Sequence, residues 1–221
     1  MASRKGVLWD MDGVLADTGE AHYQAWVEVL SALGIDFSRE FFRGTFGMNN
    51  RGVLTSLLGE DITTQFLAET SHRKEEEFRR LVHGRVKPLP GVLDWLSILR
   101  GEGFQMGIAS SAPPANIDAL IDELEIRPYF DVLVSGVDMP GKPDPALFLE
   151  VARRIDVPPT RCVVVEDAIA GVEAAKRAGM SCIAVTTTNP EEVLRAADVV
   201  VCRLDALPAT AFDHLLDERE S

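Results

Sequence analysis

The chain has 221 residues, and with 46% of them hydrophobic and 26% charged it can bury a sizeable core. This length fits one α/β domain, or a core domain with a smaller domain inserted into it. The formal net charge of -13 argues against a nucleic-acid partner, because duplex binding needs clustered Lys and Arg that neutralise phosphates, so an anionic substrate must meet a local positive patch.

The chain shows no sign of a membrane segment. No stretch approaches the roughly 20 consecutive apolar residues that a membrane helix needs, and the opening MASRKGVLWD lacks the apolar core of a signal peptide. The three cysteines, Cys162, Cys182 and Cys202, lie on separate apolar runs without a Cys-x-x-Cys pair, and we expect buried, reduced thiols. We therefore expect a cytoplasmic monomer without a membrane partner.

The first predicted element is a short buried strand, GVLW at residues 6–9, followed at once by acidic residues. Side chains of a strand alternate with a period of two, which places Asp10 and Asp12 on the same side. Two carboxylates this close repel each other unless a cation, a proton or strong donors offset the repulsion. Gly13 follows directly, and a glycine lets backbone amides approach a bound anion.

Residues 20–84 have the apolar spacing of helices and contain no convincing strand. The simplest interpretation is a helical insertion, entered after the first strand and left near KPLPG at residues 87–91. Ligands of open α/β sheets bind at the carboxyl ends of the strands, so an insertion there becomes a lid over the site. We assign residues 18–86 to a helical cap domain and residues 1–17 and 87–221 to the core domain.

From residue 89 onward, short apolar runs alternate with helical segments; the runs are FQMGIAS, FDVLVSG, RCVVVED, SCIAVTT and DVVV. This alternation is typical of βαβ units around a parallel sheet covered on both faces. The sequence therefore predicts an α/β fold, a doubly wound Rossmann-like parallel sheet with an inserted all-helical cap. The acidic tail DHLLDERES, at residues 213–221, is expected to be a frayed helix end.

Four polar segments follow predicted strands: DMDGV, ASSA at 109–112, GKPDP at 141–145 and VEDAIAG at 165–171. A parallel sheet brings these strand ends to one edge. The resulting site would contain four carboxylates, one ammonium and two hydroxyls, from Asp10, Asp12, Glu166, Asp167, Lys142, Ser110 and Ser111. Such an oxygen-rich, thiol-free site suits Mg²⁺ and a substrate phosphate. One carboxylate of the first pair can attack phosphorus to give an aspartyl-phosphate while the other carries the leaving-group proton.

These segments resemble the motifs of the haloacid dehalogenase superfamily of aspartate-nucleophile phosphotransferases, over most of the chain. DMDGVLADT is similar to the first motif, Asp-x-Asp-Gly-x-x-x-Asp-Thr, and the other three segments to the second, third and fourth motifs. The resemblance implies Asp10 as nucleophile and metal ligand, Asp12 as acid/base and as a ligand through its backbone carbonyl, and Asp167 as a further ligand. It also implies that Glu166 orients a metal-bound water. The phosphate would be held by Ser110 and Lys142, with Gly13 and Ser111 beside them.

The helical insertion resembles the cap of the subfamily that contains β-phosphoglucomutase and many sugar-phosphate phosphatases. DTGEAHYQAW, at residues 17–26, is similar to the segment that enters the mutase cap in Thr18, Glu20, His22 and Trp26. Arg51 and Lys74 fall near the places where such caps grip the distal part of a sugar phosphate. Plain structural roles are the alternative: a bridge to the hinge for His22, cap core for Trp26, and solvated surface for Arg51 and Lys74.

The favoured function is a Mg²⁺-dependent phosphatase that acts on a small phosphorylated metabolite, a sugar or polyol phosphate. The second candidate is a mutase that returns the phosphoryl group to a sugar; against it, the mutase carries a Lys where this chain has Phe46. Dehalogenation is disfavoured, because dehalogenases of the superfamily lack the aspartate at position 12. A phospho-receiver domain also uses Asp, Mg²⁺, Ser/Thr and Lys on a doubly wound sheet, but its acidic pair and acceptor Asp lie on different strands and it has no cap.

Overall fold

The computed structural model describes residues 4–217. In this part of the chain six strands form one sheet: β1 Gly6–Trp9, β2 Gln105–Ser110, β3 Val132–Ser135, β4 Cys162–Glu166, β5 Ser181–Val185 and β6 Val199–Val201. Their order is β3-β2-β1-β4-β5-β6, and every neighbouring pair is parallel. The order reverses at β1, which is the place where open α/β sheets bind ligands. The predicted doubly wound sheet is confirmed.

Ten α-helices accompany the sheet within the described residues. Five lie between the first two strands, α1 Gly19–Ser31, α2 Arg39–Thr45, α3 Asn50–Leu58, α4 Thr64–Val82 and α5 Val92–Gly101. The others are α6 Pro114–Glu123, α7 Ala146–Arg154, α8 Ile169–Arg177, α9 Glu191–Leu194 and α10 Ala211–Asp217. The predicted frayed end is thus helical to Asp217, and residues 218–221 lie outside the described part.

The central strand β1 is buried on both faces. Val7 and Trp9 join a cluster with α5, α6 and α10, whereas Leu8 joins the cluster that α7 and α8 form on the opposite face. This alternation explains the run of apolar residues, since a strand covered on both sides has no solvent face. It also holds the end of β1, and the acidic residues after it, in a rigid frame.

The first four helices carry apolar clusters of their own. Trp26, Leu30 and Leu54 belong to one cluster, and Phe78 with Val82 to a smaller one. The segment that leaves the sheet region and the segment that returns to it lie side by side, because Ala16 pairs with Pro88 in an isolated bridge. These contacts lie beside the predicted cap bounds, residues 18 and 86, which remain a prediction.

Two details concern the cysteines and the membrane. Cys162 and Cys182 are buried as expected, but the expectation is wrong for Cys202, which is exposed. It directly follows β6, the edge strand, whose residues are only partly covered. No helix among residues 4–217 combines the length and the apolar character needed to cross a membrane.

Candidate active site

A buried lysine joins the ends of two neighbouring strands. Asp10 follows β1 and Glu166 ends β4, and the Lys142 Nζ donates to Asp10 Oδ1 at 2.5 Å and to Glu166 Oε1 at 2.6 Å. The second oxygen of Glu166 accepts the backbone N–H groups of Asp167 and Ala168. Burial alone would lower the pKa of Lys142, but the two carboxylates outweigh it and raise that pKa. The ammonium is therefore fixed and charged beside Asp10.

Three carboxylates form a compact acidic cluster at this edge. Asp10, Glu166 and Asp167 each offer an oxygen within 4.8 Å of the others. Gly13 has φ +82°, and a Cβ there would lie 1.9 Å from Asp167 Oδ2. Thr188 donates its hydroxyl hydrogen to the same Asp167 oxygen. Gly13 is therefore required both for its backbone conformation and for the space that Asp167 occupies.

The charge balance of this cluster favours a cation. Burial, together with repulsion from Glu166, raises the pKa of Asp10 to about 7 even though Lys142 acts in the opposite direction. Burial, with repulsion from Glu166 and Asp10, raises the pKa of Asp167 well above its ordinary value. One lysine is thus too little positive charge for three carboxylates. Hard oxygen ligands without thiol or imidazole suit Mg²⁺, so these residues fit that ion.

Two serines at the end of β2 complete the core side of the site. Ser110 is 1% exposed, and its Oγ accepts the N–H of Ala112. Ser111 instead donates its hydroxyl to the carbonyl of Gly47, at 3.1 Å, in the loop before α3. A Cβ at Gly47 would lie 2.9 Å from the Cβ of Ala168, so the helical segment and the sheet touch closely here.

Asp12 does not join the acidic cluster through its carboxylate. Its Oδ1 accepts the Thr18 hydroxyl at 2.6 Å and faces His22 Nε2 at 3.0 Å. Burial alone would raise the pKa of Asp12, but His22 and then Thr18 outweigh it and lower that pKa. The two aspartates therefore differ in environment, one beside a lysine in an acidic cluster and one beside a histidine.

The far side of His22 fixes its tautomer. The Lys74 Nζ lies 2.8 Å from His22 Nδ1, and an ammonium can only donate. Nδ1 is therefore the acceptor, and Nε2 carries the hydrogen that it donates to Asp12. The imidazole also stacks on Phe78, with ring centroids 3.9 Å apart. Lys74, His22 and Asp12 form one buried hydrogen-bonded chain from α4 to the end of β1.

Lys74 is also paired with a carboxylate. Its ammonium donates to Glu75 Oε1 at 2.9 Å, and the Asn50 side chain donates to the same oxygen at 2.7 Å. Glu75 Oε2 accepts from the amide of Asn116 on α6, and Arg79 donates to the carbonyl oxygen of that amide. This network joins α4 to α6 away from solvent, since Asn116 is fully buried.

The aspartates and part of this network line a common cleft. Its walls include Asp10, Asp12, Ser110 and Ser111 on the sheet side and His22, Lys74 and Glu75 on the helical side. Lys142, Glu166 and Asp167 lie behind Asp10. Arg51 is the exception among the predicted residues, because it is exposed at the start of α3 and does not line the cleft.

Several contributors to the site were not predicted: Asn50, Glu75, Asn116, Thr188, Gly47 and Gly171. A Cβ at Gly171 would lie 1.8 Å from Glu166 Oε1, so this glycine in the fourth segment makes room for the carboxylate. The signal was available for Gly171, since it stands in VEDAIAG. For the others the sequence offered no motif or periodic signal.

Comparison with known proteins identifies the family. The chain matches the haloacid dehalogenase-like hydrolases over residues 4–179. The chain belongs to this family. Among its relatives, the β-phosphoglucomutase of Bacillus subtilis is 34% identical over 89% of this chain and 88% of its own length. A phosphorylated carbohydrates phosphatase of Thermotoga maritima is 31% identical over 89% of this chain and its own full length.

A solved structure supports the same fold. The β-phosphoglucomutase of Clostridium difficile superposes with a TM-score of 0.88, covering 97% of this chain and 98% of its own, at 24% identity. As a haloacid dehalogenase-like hydrolase with phosphatases among its relatives, the chain is an enzyme of the phosphatase type.

Proposed function

We propose that this enzyme is a Mg²⁺-dependent phosphatase that hydrolyses a sugar or polyol monophosphate through an aspartyl-phosphate at Asp10. The observation that carries the proposal is the different setting of the two aspartates. Asp10 is held by Lys142 beside Ser110, where a phosphate would meet an ammonium and a hydroxyl. Asp12 is held by His22 at the cleft wall. We assign the attack on phosphorus to Asp10 and the transfer of the proton to Asp12.

The first step transfers the phosphoryl group to the enzyme. A carboxylate oxygen of Asp10 forms a bond to phosphorus, the ester P–O bond breaks, and protonated Asp12 gives its proton to the leaving oxygen. Asp12 is then ionised, with Thr18 and His22 as donors to its carboxylate. This form is the base that the second step requires.

The second step returns the enzyme to its starting state. A water molecule attacks phosphorus, Asp12 takes its proton, and the bond between phosphorus and Asp10 breaks to release inorganic phosphate. Lys142 faces the negative charge of the phosphoryl group throughout. Mg²⁺, held by Asp10 and Asp167 with Glu166 beside them, would offset the charge of the carboxylates and the phosphate.

The relatives support the substrate class and also the alternative. The Thermotoga relative is named for the phosphatase activity on phosphorylated carbohydrates. The Bacillus relative is named as a β-phosphoglucomutase, which keeps a phosphosugar mutase as the second candidate. We also propose that residues 18–86 act as the cap and that the enzyme is a cytoplasmic monomer. Size-exclusion chromatography with light scattering would test the oligomeric state.

Two assays on the same protein separate the candidates. Phosphate release is measured from a panel of sugar and polyol monophosphates with Mg²⁺ and with EDTA. Glucose 6-phosphate formation from β-glucose 1-phosphate is measured in parallel. The proposal expects Mg²⁺-dependent phosphate release that exceeds isomerisation. Isomerisation without phosphate release would select the mutase, and turnover that persists in EDTA would contradict the role of the metal.

A further inference from the structure

The wall that residues 18–86 contribute to the cleft is here called the distal half. It includes three aromatic rings, two amides and one carboxylate: Trp26, Phe42, Phe46, Asn49, Asn50 and Glu75. The aromatic faces suit the C–H surface of a substrate, and the polar atoms suit its hydroxyl groups. No arginine lines the cleft in the described part of the chain.

Lys74 is the cation that lines the cleft, and it is already paired with other residues of the protein. The ammonium of Lys74 donates to His22 and to Glu75 and is 3% exposed. Arg51 follows Asn50 directly, but consecutive residues of a helix differ in direction by about 100°. Asn50 therefore faces the cleft while Arg51 faces solvent. The distal half has no uncommitted positive charge among the residues that the structure describes.

Glu75 is the carboxylate of this half. Burial alone would raise the pKa of Glu75, but Lys74 outweighs it and lowers that pKa, with Asn50 as a further donor. The Lys74 ammonium, 2.9 Å from Glu75 Oε1, is the counter-charge of this carboxylate, so the pair has no positive charge left for a second anion. A phosphate group placed here would add about two negative charges at close range without a partner, which is strongly unfavourable in a partly desolvated cleft.

We propose that the distal half selects an uncharged, hydroxylated leaving group and that Glu75 excludes substrates carrying a second phosphate. This inference rests on the proposed phosphatase function and narrows its substrate class. The Asn50 carbonyl oxygen remains available to accept a hydroxyl, because the amide nitrogen is the atom that donates to Glu75. A sugar mutase must retain a bisphosphate between its two half-reactions. This cleft offers no binding site for the second phosphate of such a molecule.

The test measures binding in the Asp10→Asn protein, so that turnover does not interfere. Two probe pairs are titrated calorimetrically with Mg²⁺ present: fructose 1-phosphate with fructose 1,6-bisphosphate, and glucose 6-phosphate with glucose 1,6-bisphosphate. We expect the monophosphate to bind at least about tenfold more tightly in at least one pair. Equal affinities within both pairs, tighter bisphosphate binding, or no binding of any of the four sugars would overturn the proposal.

Substitution of Glu75 shows whether this residue sets the preference. Glu75→Gln in the same background should reduce the monophosphate preference at least about fivefold, because the amide keeps the shape without the charge. Glu76→Gln is the matched control, since it removes one charge from the exposed face of the same helix. A structural role alone would weaken both sugars equally and leave their ratio unchanged, which would also overturn the assignment.

A second variant covers the case in which Glu75→Gln does not fold. Asn50→Lys places an ammonium against Glu75 and should reduce the same ratio, and an unchanged ratio would count against the proposal. Failure of the proposed function has a different signature. The wild-type enzyme would then release no phosphate from any monoester, while the binding preference in the Asp10→Asn protein would still be measurable.

Discussion

Replacing Lys74 with methionine removes the ammonium that holds the buried chain to Asp12. Lys74 Nζ lies 2.9 Å from Glu75 Oε1, and methionine leaves that carboxylate without its counter-charge. Loss of one partner from a buried ion pair costs about 3–5 kcal/mol. The amides of Asn50 and Asn116 still donate to Glu75, so we expect about 3 kcal/mol, or a fall in Tm of about 6–12 °C.

The same substitution should reduce activity for a separate reason. Without the ammonium, His22 Nδ1 is free to carry the hydrogen, and Nε2 would then present a lone pair to Asp12. Asp12 would lose its oriented donor, and general acid–base catalysis contributes about 10²–10⁴-fold. We expect kcat for the best monophosphate to fall at least about 100-fold, measured by phosphate release at a temperature where the variant is folded.

A double variant separates the two effects. Lys74→Met with Glu75→Gln removes the unpaired charge, so Tm should recover, but the His22 tautomer is still unfixed and kcat should stay low. Arg73→Met, on the exposed side of the same helix, is the matched control for the lost positive charge. Recovery of kcat in the double variant, or a loss below about tenfold in Lys74→Met, would refute the tautomer argument.

Three further outcomes are expected. Gly13→Ala should abolish Mg²⁺ binding in calorimetry, because a Cβ there would lie 1.9 Å from Asp167 Oδ2, whereas Gly103→Ala, also at positive φ but with open space around it, should retain binding. Asp10→Asn should form no phosphoryl adduct in rapid-quench mass spectrometry. Asp12→Asn should accumulate an adduct with p-nitrophenyl phosphate, since only the attack of water then lacks its base. An adduct on Asp10→Asn would contradict the assigned roles. Burial raises the pKa of Asp10 to about 7, and a protonated carboxyl binds cations poorly, so the apparent Mg²⁺ affinity should weaken as the pH falls below about 7; an affinity that stays constant from about pH 8 to pH 6 would contradict this.

The sheet and the core of the site were predictable because both depend on local sequence patterns. A short continuous run of apolar residues identifies a strand that is buried on both faces, and parallel strands must end at one edge. That reasoning alone places Asp10, Lys142 and Asp167 near one another, and the structure brings them together. The apolar run of β6 does not show that this strand lies at the sheet edge, and for that reason the burial expected for Cys202 is wrong.

The distal half of the cleft could not be predicted in the same way. Glu75 stands in the run KEEEF, and charge runs on helices usually face solvent. Glu75 instead contacts Asn50 of α3 and Asn116 of α6, and such long-range contacts leave no periodic signal. Lys74 is different, because it continues the stripe of Leu67, Phe78 and Val82 along one face of α4. That spacing is a signal for burial that the prediction for Lys74 did not use, and the alternative of solvated surface is wrong, since Lys74 is 3% exposed.

The bridge made by Asn116 has a kinetic consequence. Its side chain bonds both Glu75 and Arg79, so α4 cannot move away from α6 without breaking two hydrogen bonds to charged groups. Each such bond contributes about 1.5–3 kcal/mol, which places the separated arrangement below about one molecule in a hundred. For a substrate that entered only while the two helices are apart, capture would be limited by how often they part, and the apparent affinity would be reduced by the same fraction. Shortening the Asn116 side chain to alanine would then hasten both substrate capture and product departure.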